Sequence, residues 1–219
     1  MRHNSKPFTY MAVILTAVLL MTVTASLKAG DRIANRADEI QPLLIGDNVP
    51  NTMVKNIEGQ DVRLLDLIKR KPSVVIFYRG GWCPYCNVHL KQLQDIEQKL
   101  VDLGFQILAI SADRPQKLRE TLHTKDLNYT LLSDSKMFTT KAFGLCFKLD
   151  EKTFQAYEEH NLDIEGYSGE THHLLPVPSA FIIDTDGKIR FKYVNPDYKV
   201  RISSKVLLAA AESFLDNKE

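Results

Sequence analysis

Two cysteines three positions apart, Cys83 and Cys86, are the residues of this 219-residue chain whose type and spacing most plainly carry chemistry. They stand in the segment Phe77-Tyr78-Arg79-Gly80-Gly81-Trp82-Cys83-Pro84-Tyr85-Cys86-Asn87-Val88-His89. A helix N-terminus leaves backbone N–H groups unpaired and carries a partial positive charge. A thiolate placed there is stabilised, so its pKa falls and its reactivity at neutral pH rises. Spacing of three on a first helical turn also lets the two sulfurs meet, so one can attack and the other resolve, giving a reversible disulfide. Pro84 fits such a turn, where its missing N–H costs nothing. A lone pair of this spacing is also half of a zinc site. No second pair follows, the third cysteine being the distant Cys146. The glycines before the pair, Trp82 beside it and the strand–loop–helix setting favour redox use.

That setting comes from the flanking elements. Residues 73–78 form a continuous β-branched and aromatic run, which reads as a buried central strand. Gly80 and Gly81 break it. Beyond the cysteines, Val88, Leu90, Leu93, Ile96 and Leu100 recur at helical spacing as far as Gly104. Residues 105–110 are a second buried strand, and Asp113 with Pro115 supplies a cap and an early-helix proline for a helix over 116–127. Upstream, residues 54–57 and 61–64 flank Glu58-Gly59-Gln60 as a β-hairpin, followed by a helical turn at 65–69. Downstream come a short strand at 129–132 and a helix at 136–143. Residues 150–160 have helical composition, and 164–171 read as a loop. A third strong strand over 179–183 turns at 184–187 into residues 188–194. The chain ends in a helix over 203–215 with Val206, Leu207, Ala210 and Phe214 on one side. Strands alternating with helices imply a three-layer α/β sheet.

Composition bounds the function. Hydrophobic residues are 44% and charged residues 25%, which is globular and not disordered. Lys and Arg total 28 against 27 Asp and Glu, so there is no broad basic field for nucleic acid and no acidic one for cations. Three cysteines cannot staple a disulfide scaffold. Arg2 and Lys6 precede an uncharged, apolar stretch over residues 7–27 with small residues at its exit, Ala25 and Ser26. Residues 1–25 are expected to be a secretory signal peptide, with an uncleaved membrane anchor as the rival. Either places the domain outside the cytoplasm, periplasmic or secreted, with membrane attachment only through the N-terminus. Residues 26–43 are then a linker and residues 44–219 a single domain.

The domain resembles the thioredoxin-like superfamily, specifically the AhpC/TSA group of peroxiredoxin-like proteins. The resemblance covers most of residues 44–215. It rests on Gly46-Asp47-Asn48-Val49-Pro50, the hairpin with Glu58-Gly59-Gln60, the strand before Tyr78, the Cys83-Pro84-Tyr85-Cys86 motif, and the block from Val177-Pro178-Ser179 to Gly187. It implies an α/β thioredoxin-like fold: a central mixed β-sheet flanked by helices, an N-terminal hairpin and an insertion before a cis-proline strand. Typical peroxiredoxins carry a Thr three residues before the peroxidatic Cys, and that register puts Cys83 at the Thr and Cys86 at the peroxidatic position. They also carry an Arg before the Phe181-Ile182-Ile183-Asp184 strand, to polarise the peroxide, where this chain has Pro178. A proline there resembles thioredoxins, in which it is usually cis and packed against the disulfide. Thioredoxins also bury an Asp on the strand before the cysteines. The matching residue is Phe77, so proton transfer must use another group or water.

The resemblance implies a thiol-dependent antioxidant oxidoreductase that reduces hydroperoxides through a Cys83/Cys86 dithiol–disulfide cycle, regenerated by an external thioredoxin-like donor. The rival is a protein thiol–disulfide reductase or isomerase. Trp82, Arg79 and Pro178 support the site; Arg79 reads equally as positive charge near the thiolates or as a solvated loop arginine. The order of attack stays open, since thioredoxin logic makes Cys83 the nucleophile and peroxiredoxin logic Cys86. Cys146 reads as core packing and His89 as an ordinary surface group. His172 and His173 suggest a minor third reading, a Sco-like copper carrier, because thiolate and imidazole suit copper. No cofactor and no metal are assigned.

Overall fold

A computed structural model describes residues 33–216. The expected signal segment, residues 1–25, lies outside the described residues. Seven strands form one sheet in the order β2-β1-β5-β4-β3-β8-β9: β1 (Met53–Lys55), β2 (Asp61–Arg63), β3 (Ser73–Tyr78), β4 (Gln106–Ser111), β5 (Thr130–Ser133), β8 (Ser179–Ile183) and β9 (Ile189–Val194). β3, β4 and β5 run parallel, while β8 pairs antiparallel with β3 and β1 with β5, so the sheet is mixed. The expected hairpin is β1–β2, with Met53 opposite Arg63.

The central strand shows how the sequence writes the layers. All six residues of β3 are buried, because both faces are covered. Val74, Ile76 and Tyr78 point to one face, into a cluster with Leu90, Leu93 and Leu100 of α2 (Pro84–Asp102) and Leu207 and Ala211 of α7 (Ser204–Asp216). Val75 and Phe77 point to the other, against Leu64 and Ile68 of α1 (Leu64–Ile68), Phe143 and Phe181. The apolar stripes of the long helices hold, with two exceptions: Val88 and Val206 are exposed. α3 (Pro115–Lys125) contributes Leu118 to the first face, and α4 (Phe138–Ala142) follows β5.

The inserted segment is more ordered than its composition suggests. β6 (Cys146–Lys148) and β7 (Leu174–Pro176) pair antiparallel in a separate two-stranded sheet. Between them lie α5 (Glu151–Glu159) and α6 (Ile164–Ser168). Part of the expected loop at 164–171 is therefore a helical turn. Its start is capped by Asp163, which accepts from Gly166 N–H at 2.7 Å, and buried Ile164 anchors it. The expected cis-proline is also corrected, since no cis peptide occurs among the described residues. Val177 donates its N–H to Leu145 O at 2.9 Å, so the chain runs extended from β7 into β8, a path the trans Val177–Pro178 peptide suits.

Candidate active site

β3 delivers the chain to the edge of the sheet, and residues 79–82 turn it into α2. Cys83 is the N-cap of that helix, with an extended backbone (φ −88°, ψ 116°), and Pro84 occupies the first turn. The turn is held by Cys83 N–H to Gly80 O at 3.1 Å and by the Asn87 side-chain amide to Gly81 O at 2.9 Å. Gly80 is there for space. It sits at φ +151°, and a Cβ on it would come within 2.3 Å of Trp82 Nε1 and 2.5 Å of Asp113 Oδ1.

The sulfurs are reduced and buried, Cys83 at 1% exposure and Cys86 at 0%. Their environments differ. A hydrogen bond from the Cys86 thiol, opposed by burial and aided by the Arg79 charge, brings the Cys83 pKa down to about 6. Burial, together with the hydrogen bond Cys86 gives to Cys83, pushes the Cys86 thiol well above its ordinary value. The pair therefore holds one proton near neutral pH, preferentially on Cys86.

Two arginines flank the pair. Arg79 is buried, which removes the reading of a solvated loop side chain. Its guanidinium lies 4.2 Å from the Tyr198 ring centroid, 4.9 Å from Trp82 and 5.3 Å from Tyr157, and it donates to the Tyr157 hydroxyl. Tyr157 comes from α5, so the inserted segment helps to close the site. Arg201 approaches from the loop before α7 and points Nη2 at Cys86 Sγ, 3.6 Å away. Of the two, only Arg79 stands next to the cysteines in sequence. No local pattern marks Arg201, which sits 115 residues beyond Cys86.

Asp113 was also assigned differently by the sequence. It does not cap α3; the N-cap is Arg114 and makes no side-chain cap bond. Asp113 instead lies buried at the end of β4, beside the cysteine loop, where Oδ2 accepts from Gly81 N–H at 2.7 Å and Oδ1 takes no hydrogen bond. Burial raises its pKa to about 7. A signal existed: β3 and β4 are parallel, so residues just past both strand ends share one edge of the sheet.

The remaining candidates divide. Pro178 stands just before Ser179, which pairs with Phe77, so it is at the edge of the sheet where the cysteine loop begins. His89 is buried and not a surface group, and burial lowers its pKa to about 4. Cys146 is buried, with its thiol pushed up to about 12 by burial, in keeping with packing. His172 lines a small cavity of about 10 Å³ with Trp82 and Asp113, but both of its ring nitrogens are engaged: Nδ1 accepts from Leu174 N–H and Nε2 meets Ser135 O at 2.7 Å. His173 meets Glu165 and stacks on Phe154, 3.8 Å between centroids. Among the described residues no group of three or more His, Cys, Asp or Glu is arranged to hold a metal ion.

Residues 45–192 match the AhpC/TSA family. The chain is 31% identical over 169 residues to Peroxiredoxin Bcp of Escherichia coli K12, covering 77% of this chain and 96% of that one. It is 23% identical over 163 residues to the thiol-disulfide oxidoreductase ResA of Bacillus cereus, covering 74% and 76%. In structure it superimposes on reduced Prx3 of Vibrio vulnificus in complex with hydrogen peroxide, with a TM-score of 0.64, 20% identity, and 77% and 99% of the two chains covered.

Proposed function

The chain belongs to the AhpC/TSA family, peroxiredoxin-type oxidoreductases of thioredoxin-like fold, and from that premise we propose that it reduces hydroperoxides with the Cys83/Cys86 dithiol. The observation that carries this is the placement of the pair: Cys83 N-caps α2, and Cys86, fully buried in the first turn, has the Arg201 guanidinium 3.6 Å from its sulfur, an arrangement that brings the Cys83 thiol down to about 6 and pushes the Cys86 thiol up. Cys83 therefore attacks first. Its sulfur takes the terminal oxygen of the hydroperoxide, the O–O bond breaks, and the alkoxide or hydroxide leaves and is protonated. Cys86 then displaces the oxygen from the Cys83 sulfenic acid as water, closing the disulfide. An external dithiol of thioredoxin type returns two electrons and reopens it.

Arg79 and Arg201 supply, from other positions, the positive charge that typical peroxiredoxins draw from an Arg where this chain has Pro178. Fixed cations beside a breaking O–O bond stabilise the developing oxyanion. The test is peroxide consumption with a dithiol donor by wild type and by single Cys→Ser variants. Cys86→Ser should still form one sulfenate per chain and stop there; Cys83→Ser should form none. Sulfenate on Cys86 in the Cys83→Ser protein would sink the assignment.

A second reading, a protein disulfide reductase, is favoured by Pro178 in the thioredoxin position and by the likeness to ResA. Insulin reduction measured beside peroxide turnover separates the two. Export is part of the proposal, on the charge and apolar pattern of residues 1–25. The mass of the protein recovered from outside the cytoplasm distinguishes a cleaved signal from a retained anchor.

A further inference from the structure

In the reduced protein both sulfurs are out of reach of solvent, Cys83 at 1% exposure and Cys86 at 0%. A hydroperoxide must nevertheless bring its O–O bond into line with the Cys83 sulfur. Whatever stands over Cys83 therefore selects what can react. The next residues in the chain, Pro84 and Tyr85, are themselves exposed, so the cover comes from segments remote in sequence.

That cover is a set of rings gathered on one cation. The buried Arg79 guanidinium lies 4.9 Å from Trp82 of the cysteine loop, 5.3 Å from Tyr157 of α5 and 4.2 Å from Tyr198 of the loop before α7. The rings also meet one another: Trp82 and Tyr157 stand 5.7 Å apart between centroids, as do Tyr85 and Tyr198. Arg79 further donates to the Tyr157 hydroxyl. One arginine thus clasps the inserted segment and the loop before α7 together at the cysteine loop.

Of the two, the inserted segment is the shallower cover. No residue of α5 is buried. It is held by Phe154, stacked 3.8 Å from His173, and by Tyr157, which packs with Trp82 against the small cluster of Leu149, Ile164 and Leu175. The loop before α7 is tied instead to Cys86 through Arg201. Little space remains between Trp82 and the inserted segment. It is the cavity of about 10 Å³, with Trp82 and Asp113 on one side and Ser168, Glu170, His172 and His173 on the other, room for one molecule the size of water.

We infer that the inserted segment makes the site selective for small hydroperoxides, hydrogen peroxide ahead of alkyl or aryl hydroperoxides, and that Tyr157 is the residue that sets the limit. This rests on the peroxide reaction proposed above. Hydrogen peroxide is little larger than water, and a shift of one side chain admits it. A hydroperoxide carrying a branched or aromatic group has to part Tyr157 from both Arg79 and Trp82. The restriction is steric, so it falls on the organic group of the substrate. It applies to the reduced protein, the form that meets the peroxide.

The test measures oxidation of the reduced protein by hydrogen peroxide and by cumene hydroperoxide, from loss of titratable thiol after acid quench. Each rate constant is divided by that of free cysteine thiolate with the same peroxide. Wild type should then favour hydrogen peroxide by about tenfold or more. Tyr157→Ala should bring the two corrected constants within about threefold of each other, whereas Tyr157→Phe, which keeps the ring, should stay near the wild-type ratio. Because Tyr157 also accepts from Arg79, the ratio and not either constant alone is the readout. Alkylation of Cys83 by pyrenyl maleimide and by iodoacetamide, corrected in the same way, asks the same question without a peroxide. Wild type should discriminate against the bulky reagent and Tyr157→Ala should not. Corrected peroxide constants within about twofold of each other in wild type, or a Tyr157→Ala protein that keeps the wild-type ratios, overturn the inference. Should that variant not fold, Phe154→Ala, which removes the other hold on α5, takes its place under the same criteria. Wild type whose thiols neither peroxide oxidises overturns the peroxide reading itself, a result distinct from a lost ratio.

Discussion

The Cys83 thiolate gives the sharpest quantitative prediction. Its pKa falls from an ordinary 9.0 to about 6. At pH 7 a thiol of pKa 6 is about 90% thiolate, and one of pKa 9 about 1%. Nucleophilicity falls with pKa, with a Brønsted coefficient of about 0.4–0.5, so three units cost roughly 16- to 30-fold in intrinsic reactivity. The net advantage at pH 7 is only about three- to sixfold, whereas at pH 5 it grows to about 30- to 60-fold. The signature is therefore the pH profile and not the rate at neutrality. Alkylation of the reduced protein with iodoacetamide, quantified on the Cys83 peptide from about pH 4 to 10, should show a midpoint near 6. Because the largest cause is the hydrogen bond from Cys86, Cys86→Ala should move the midpoint up by about a unit or more, while Cys86→Ser, which keeps a donor, should hold it. Arg79→Met should raise it less. The sign carries over to stability: the folded pKa is depressed, so the thiolate's contribution is full above about 9 and is lost as pH falls through about 6. A wild-type midpoint above about 8, or equal shifts in Cys86→Ala and Cys86→Ser, would refute the assignment of a hydrogen-bonded thiolate.

Three further outcomes follow from single contacts. Arg201→Met removes the guanidinium 3.6 Å from Cys86 Sγ and should slow peroxide turnover about tenfold; turnover within twofold of wild type (about 0.4 kcal/mol) would exclude Arg201 from the chemistry. Cys146→Ala should leave turnover intact, and native protein treated with iodoacetamide should be labelled at Cys83 but not at Cys146 until it unfolds, since burial holds that thiol at about 12. Gly144→Ala should destabilise the fold by about 1–3 kcal/mol in urea titrations. Gly144 sits at φ +68° and a Cβ there would lie 1.9 Å from Gln41 O, so an unchanged midpoint would show that residues 41–42 do not pack as described.

The core strands were legible because their signal is local. The run at 73–78 is apolar throughout since helices cover both faces, and its neighbours at 106–111 and 179–183 read the same way. The inserted segment was harder. Its short strands Cys146–Lys148 and Leu174–Pro176 find each other across 25 intervening residues, and three-residue strands carry too little periodicity to announce themselves. The helical turn at Ile164–Ser168 depends on a cap from Asp163 and one buried isoleucine, a pattern a loop can also contain. His89 is buried although its sequence position suggests a surface group, because i+3 spacing from Cys86 gives its place on the helix but not what packs there.

The sequence by itself determined the reacting atoms and their frame: two cysteines on the first turn of a helix, reached from a buried strand, in a chain of AhpC/TSA pattern. Chemistry of that kind is encoded by spacing along one segment, and spacing survives without coordinates. Only the tertiary structure decided the field around those atoms. It turned Asp113 from a helix cap into a buried carboxyl under Gly81, decided between the two readings of Arg79 by setting it in an aromatic cage, and brought Arg201 to Cys86. The physical reason is that electrostatics depends on distance and burial in space. Both are fixed by which strands lie side by side and which loops fold over them, and neither leaves a mark on the residues nearby in sequence.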